Sequence, residues 1–159
     1  MPIGRVSRAA ALAASVPFYE RLYQAAQRLL EDSAQDEFSF AGAVIVSGTA
    51  CETAVGVVIT TIISQRDLGP IAEAANESMR SYNLRDPHDR TTWNAITENA
   101  IHDESFWKRY MEHVKRRNDV VHTGRIEGNP VTRQDAEEAI AAARQLLDHV
   151  TAVLGAKSN

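Results

Sequence analysis

The sequence contains a single cysteine, Cys51, among 159 residues, so no internal disulfide can form. A chain without disulfides fits a reducing compartment, and we therefore expect a cytoplasmic protein. Only eight glycines and five prolines are present, and they form no compositional runs. This composition excludes the collagen-like, disordered and low-complexity classes. Arg5 and Arg8 precede an alanine-rich stretch without a strongly apolar core, which does not indicate a secretory signal.

Several chemical signatures are also missing. There is no Gly-rich phosphate loop, no G-x-S-x-G nucleophile motif, no H-E-x-x-H motif and no cysteine pair. The histidine and acid clusters at 88–89 and 102–104 are most simply loop or capping residues, so we expect no metal and no cofactor. No segment alternates apolar and polar residues for long enough to predict a strand. The sequence therefore predicts an all-α protein.

The helix-forming segments are expected to fold as one domain over residues 1–159. Residues 41–64 carry a single charge, Glu52, and could span a bilayer by length alone. Six serines and threonines and the central acid make a membrane span unfavourable, so we predict one long buried helix and no membrane partner. Five further helices are predicted, over residues 15–33, 69–82, 92–101, 104–122 and 132–154, and a loop is predicted at 83–90. Ser15 is the expected cap of the first, with Pro17 in its first turn, and Gly69-Pro70 opens the second. A Thr132–Asp135 cap is expected to start the last.

Two of these helices have a clear apolar stripe that predicts the face turned to the core. In the helix over 104–122 the stripe consists of Phe106, Trp107, Tyr110, Met111, Val114 and Val121. In the last helix it consists of Ala136, Ala139, Ile140, Ala143, Leu146, Leu147, Val150 and Leu154. Gly124 is expected to end the first of these two helices.

The net charge of −4 is unevenly distributed along the chain. Residues 106–133 carry seven Lys and Arg against three acids, although the protein as a whole is acidic. A basic segment on an acidic protein indicates a local anionic partner, and a solvated helix face is the alternative. In this segment Asn118 and His122 are four residues apart and share a helix face. Arg117 and His122 are five apart and diverge by about 140° on a regular helix.

An arginine, an amide and an imidazole near one helix end suit phosphodiester chemistry on RNA. Arginine binds phosphate oxygens bidentately and stays charged at any working pH. Histidine can take the proton of a ribose 2′-OH, which then serves as an internal nucleophile without a metal. DNA lacks that hydroxyl, so the activity would be specific for RNA. The alternative is that His122 only caps a helix C-terminus, where the dipole favours an imidazolium.

The segment Arg117-Asn118-Asp119-Val120-Val121-His122 resembles the hallmark motif of the HEPN superfamily (higher eukaryote and prokaryote nucleotide-binding domain). That motif is an arginine, a polar residue, a few further residues and a histidine at the end of the third core helix. The surrounding pattern is also similar, with an aromatic-rich helix before the motif and a small-residue helix that contains Glu52. The resemblance covers about residues 15–154, with 66–101 as an insertion.

The resemblance implies a four-helix HEPN-like bundle with an inserted helical hairpin that forms a homodimer. It implies a metal-independent endoribonuclease of the toxin–antitoxin or antiviral-defence type, with a composite site built from two subunits and products that end in a 2′,3′-cyclic phosphate. An antitoxin or sensor protein would be a further partner. By carry-over His122 is the acid/base group, Arg117 the phosphate ligand and Asn118 an orienting residue. Glu52 is expected to hold Arg117 or His122, with a packing or solvent-facing role as the alternative.

A different functional class remains open from the residues alone. The chain could be a non-catalytic dimeric helical module that binds RNA, a nucleotide or a protein partner. In either case the expected RNA-binding residues are Lys115, Arg116 and Arg125, together with Arg117 in the binding module. A third interpretation keeps the bundle and treats the basic segment as solvated surface.

Overall fold

The computed structural model describes residues 16–31, 36–66, 74 and 82–157. Within these ranges the chain forms helices and no strand, which confirms the predicted all-α class. The elements are α1 (Phe18–Glu31), α2 (Glu37–Gln65), α3 (Pro87–Thr97), a short 3-10 turn (Ile101–Asp103), α4 (Trp107–Thr123) and α5 (Arg133–Lys157).

The long helix α2 lies at the centre of the fold and contacts α1, α3, α4 and α5. Asp36 caps its start, where the side chain accepts a hydrogen bond from the Ser39 amide at 2.9 Å. Its hydroxyl side chains donate to carbonyls one turn earlier, as Thr53 does to Thr49 at 2.8 Å, so these polar groups are satisfied within the helix. α2 is long and apolar enough to cross a membrane, but 56% of its most apolar window is buried against the rest of the protein. The prediction of one long, buried helix is confirmed.

The helices α1 and α5 are joined by a partly buried ion pair. The Arg144 guanidinium donates to both carboxylate oxygens of Glu20, at 3.0 and 2.9 Å, and lies over the ring of Tyr23. Helices α4 and α5 run antiparallel, because Arg116 pairs with Glu138 near one end and Phe106 contacts the His149 ring near the other. These contacts hold α4, which carries most of the basic segment, against α5.

The predicted inner face of α5 is confirmed for seven of its eight residues. Ala136, Ala139, Ile140, Ala143, Leu146, Leu147 and Val150 are buried, and Leu154 is half-buried. The expected cap is also present, since the Thr132 amide donates to Asp135 Oδ2 at 2.9 Å and the Asp135 amide donates to Thr132 Oγ1 at 3.2 Å.

The region between α2 and α4 differs from the prediction. A loop was expected over 83–90 and a helix over 92–101, but α3 already begins at Pro87. The Asp86 side chain accepts from the His88 amide at 2.7 Å, and proline is tolerated in the first turn of a helix, so Asp-Pro here starts a helix and does not interrupt it. The helix ends at Thr97, and Ile101 lies in the 3-10 turn.

Two details of the neighbouring helices also need correction. α4 begins at Trp107 and not at Glu104, and ends as expected at Gly124, whose φ is 69°. The sequence assigns Val121 to the apolar stripe, but Val121 is 46% exposed and Val120 is buried. The buried face near the end of α4 instead continues from His113 to Val120, which is two turns later on the same side of the helix. The predicted cap at Ser15 and the helix start at Gly69-Pro70 lie outside the described residues.

Candidate functional site

Arg117 is held between α4 and α2, where its side chain is only 26% exposed. The guanidinium lies 3.4 Å from the Glu52 carboxylate (Nη2 to Oε2) and donates to Asn118 Oδ1 at 3.2 Å. Gly48 makes room for it: a Cβ at that position would lie 2.8 Å from Arg117 Cγ. The structure therefore brings together three of the sequence-predicted site residues, Glu52, Arg117 and Asn118.

Glu52 is the only acid in α2 beyond its first turn, and it faces the contact with α4. Burial raises the pKa of this carboxyl, and the neighbouring Arg117 guanidinium partly offsets that rise. The cationic partner Arg117 reduces the free-energy cost of burying half of this acid. Of the two partners considered for Glu52, the structure shows contact with Arg117.

His122 lies apart from this cluster, exposed in the last turn of α4. Within the described part of the chain it makes no hydrogen bond or ion pair with Arg117, Asn118 or Glu52. α4 stays regular up to Thr123, so Arg117 and His122 point in directions about 140° apart. One protomer thus presents the histidine to solvent and holds the arginine against α2.

The other basic residues of the segment are engaged with neighbouring groups. Lys115 Nζ pairs with Glu127 at 2.5 Å, and Arg116 pairs with Glu138 and lies 3.9 Å from Asp135. Arg125 is exposed, and its guanidinium donates to the Gly128 carbonyl at 3.1 Å. Two of the three expected RNA-binding residues are therefore partly neutralised by acids of the same chain.

His113 is a site neighbour that the sequence analysis missed. It lies one turn before Arg117, is fully buried, and lines a small cavity with Gly48, Cys51, Glu52 and Tyr110. Neither of its ring nitrogens, nor Arg117 Nε, has a hydrogen-bond partner among the residues that the structure describes. Burial, together with Arg116 and Arg117, lowers the pKa of His113 to about 4, so the imidazole is neutral at pH 7. In the sequence, the spacing of four residues between His113 and Arg117 indicates that both lie on the same face of α4.

An open groove runs along α2 on the other side of Glu52. It has a volume of about 430 Å³ and is lined by Thr49, Glu52, Thr53, Gly56, Val57, Thr60 and Tyr82. The Tyr82 ring covers Gly56, with ring atoms 3.4 to 3.5 Å from the position of an added Cβ. Glu52 thus lies at the boundary between the groove and the Arg117 cluster.

Comparisons with protein-family models, with curated proteins and with solved structures find no match for this chain. Among the described residues, no three His, Cys, Asp or Glu side chains are grouped so that they could hold a metal ion. The site is therefore characterised by its own geometry: an anchored guanidinium, an amide and a carboxylate, with an exposed imidazole further along the same helix.

Proposed function

We propose that this protein is a metal-independent endoribonuclease of the HEPN type, a toxin or antiviral-defence effector that acts in the cytoplasm as a homodimer. The observation that carries the proposal is the setting of Arg117. A guanidinium that is fixed by Glu52, Asn118 and the space at Gly48 presents its remaining donors in one orientation. Such preorganisation is what a phosphate-binding arginine needs.

The central, mostly buried position of α2 supports the bundle that the resemblance implies. α1, α2, α4 and α5 would be the four core helices, and α3 would belong to the insertion over 66–101. The Arg117 motif then ends the third core helix, as in the HEPN pattern. Residues 67–73 and 75–81 of the insertion lie outside the described residues.

In the proposed reaction the ribose 2′-OH attacks the adjacent phosphorus and the bond to the 5′ oxygen of the next nucleotide breaks. The products are a 2′,3′-cyclic phosphate and a free 5′-OH, so one proton leaves the 2′ oxygen and one reaches the leaving oxygen. His122 would accept or supply such a proton, and Arg117 would stabilise the charge on the phosphorane oxygens. Because the nucleophile belongs to the substrate, the chemistry requires no metal-bound water.

The separation of Arg117 and His122 in one protomer supports a composite site. An exposed His122, beside the exposed Val121, lies on the surface of α4 where a second copy could contact it. A two-fold pairing would bring two histidines and two arginines to one cleft. Arg125 and the incompletely neutralised Lys115 and Arg116 would then attract the RNA strand.

The test is cleavage of a mixed RNA pool in excess EDTA by the wild type, His122→Ala and Arg117→Ala. His88→Ala is the matched control, because it removes an exposed histidine from α3. We expect wild type and His88→Ala to leave cyclic-phosphate ends, and the two site variants to lose about 10²-fold or more in rate. Full cleavage by His122→Ala contradicts the assignment. Salt-sensitive RNA binding without turnover by the wild type would instead indicate the non-catalytic binding module.

A further inference from the structure

We infer that the groove along α2 binds a guanine base of the RNA strand, with Glu52 reading its Watson–Crick edge and Tyr82 forming the aromatic wall. The inference rests on the proposed function, because it assigns the groove to a base of the RNA strand whose phosphate lies at Arg117. Nothing in the cleavage chemistry itself requires this groove or predicts a preferred base.

Apolar surface predominates in the groove, and Glu52 is the one charged residue among the described residues that line it. The hydroxyls of Thr49, Thr53 and Thr60 each donate to a carbonyl of α2, at 3.0, 2.8 and 2.7 Å. Their donor hydrogens are therefore used within the helix, and these side chains add little donor capacity to the groove. Val57, which is 37% exposed, adds further apolar surface. The open groove, at about 430 Å³, is within the volume range of small-ligand sites.

The Tyr82 ring forms a flat side of the groove, and the backbone of this residue is in a strained conformation. Its φ is 50°, in the left-handed region that bulky side chains rarely adopt. The ring covers Gly56, where the absence of a side chain lets the aromatic atoms approach the helix backbone. Strained residues of this kind concentrate at binding sites, and base–aromatic contact is the usual way in which proteins hold an unstacked base.

The single carboxylate selects among the four bases by its hydrogen-bonding pattern. A carboxylate accepts hydrogen bonds and donates none when it is ionised. On its Watson–Crick edge guanine presents two adjacent donors, N1–H and the N2 amino group, which match the two oxygens. Adenine and cytosine place an acceptor nitrogen beside their amino group, and uracil flanks its single N–H with two carbonyls. Glu52 therefore pairs fully with guanine alone.

The position of Glu52 connects the groove to the phosphate site. Glu52 Oε2 lies 3.4 Å from Arg117 Nη2, and the same residue lines the groove. Burial raises the pKa of the Glu52 carboxyl, and the Arg117 guanidinium partly offsets that rise; the ionised carboxylate is the form that accepts from guanine. The sugar of guanine is attached on the side opposite its Watson–Crick edge, so the sugar of a base bound by Glu52 points away from Arg117. The phosphate at Arg117 then belongs to a neighbouring nucleotide of the same strand.

The first experiment measures binding of the four nucleoside 5′-monophosphates by calorimetry. These ligands have no phosphodiester to cleave, so the result does not depend on nuclease activity. We expect the guanine nucleotide to bind wild type about tenfold or more tightly than the other three, which is the discrimination of one bidentate base contact. Equal affinities overturn the inference, and this comparison needs no variant to fold.

Variants assign the effect to the groove. Glu52→Gln replaces one acceptor oxygen by a donor and should abolish the guanine preference, whereas Glu37→Gln, the same change in the exposed first turn of α2, should retain it. Tyr82→Leu keeps an apolar cover over Gly56 and should weaken all four nucleotides by about tenfold. A guanine preference that persists in Glu52→Gln contradicts the role of the carboxylate.

The cleavage assay separates this inference from the nuclease assignment. RNA fragments from the wild type are sequenced, and we expect guanine at one fixed position relative to the cut. Cleavage that depends on His122 but shows no base preference overturns the groove and leaves the nuclease. Guanine binding that depends on Glu52, without any cleavage, supports the groove and overturns the nuclease.

Discussion

His113 lies at the contact between α2 and α4, with a fully buried side chain and no hydrogen-bond partner among the described residues. In the unfolded chain its imidazole accepts a proton near pH 6.5, but in the folded protein burial lowers the pKa to about 4. As the pH falls between these values, the unfolded state binds the proton first. The free energy of unfolding therefore falls over this range and levels off below pH 4.

We predict that His113→Leu reduces the loss of stability in mild acid. The linkage gives a contribution of about 2 kcal/mol to the wild-type loss between pH 7 and pH 5, and leucine removes the titrating group at similar volume. Urea unfolding at both pH values measures the difference. His88→Leu, which removes an exposed imidazole, should retain the wild-type loss. An unchanged pH dependence in His113→Leu would show that this histidine is not the acid-sensitive group.

For individual residues, the sequence predicted which side chains belong to the site and how they are spaced along the chain. It did not predict which other side chains they contact. Arg117 and Asn118 are adjacent in the chain, and Glu52 is the lone acid of an apolar helix, so both features were visible in the sequence. The ion pairs of Lys115 and Arg116 were not, because Glu127 and Glu138 reach them only through the turn between α4 and α5. The spacing of four residues places His113 on the same face of α4 as Arg117, but the burial of His113 depends on which side of α4 meets α2, and the sequence does not indicate that.

At the scale of the helix, α2 carries two glycines on one face with different surroundings. Gly48 and Gly56 lie eight residues apart, and Glu52 lies midway between them. A Cβ at Gly48 would meet Arg117 Cγ at 2.8 Å, whereas a Cβ at Gly56 would make an ordinary contact with the Tyr82 ring at 3.4 Å. The two positions therefore form a matched pair for testing whether the arginine needs the space at Gly48.

We predict opposite effects for Gly48→Ala and Gly56→Ala. Both gain about 1 kcal/mol of helix propensity, and Gly56→Ala should keep that gain. In Gly48→Ala the contact with Arg117 should outweigh it, with a net loss of about 1 kcal/mol. Displacement of the guanidinium should also lower RNA cleavage about a hundredfold. Urea unfolding and the cleavage rate measure these effects, and equal stabilisation with full activity in both variants would contradict the proposed fit.

The sequence predicted the helices α2 and α5 well and placed the start of α3 incorrectly. α2 and α5 follow from long apolar patterns that tolerate small errors at their ends, and the Thr132–Asp135 cap fixes the start of α5. α3 was placed too late because Asp86-Pro87 occurs both in turns and in helix starts. The sequence alone does not show whether Asp86-Pro87 forms a turn or starts a helix. A helix that begins at Pro87 is favoured when it can bury Trp93, as it does here.

Over the whole molecule, the basic segment is less basic than its composition suggests. Lys115 and Arg116 pair with acids of the same chain, which leaves Arg125 as the cation of the three without a carboxylate partner among the described residues. The protein remains acidic overall, with a net charge of −4. A strong attraction for RNA therefore requires the basic segments of two copies side by side, as the proposed dimer provides.

We predict that two inactive variants restore activity to each other within a mixed dimer. Arg117→Ala and His122→Ala homodimers lack every copy of one group, and each should be about 10²-fold or more below wild type. A mixed dimer retains one arginine and one histidine on different chains. If the site is composite, these two groups face one cleft and the mixed dimer should cleave RNA at least about tenfold faster than either parent homodimer.

The measurement uses differently tagged chains that are co-expressed and purified through both tags, with light scattering to confirm the dimer. The control pairs wild type with the double variant Arg117→Ala/His122→Ala, which keeps both groups on one chain. Activity in this control but not in the mixed dimer would place the site within a single protomer. Because Arg117 and His122 diverge on a regular helix, we expect the mixed dimer to be the active arrangement.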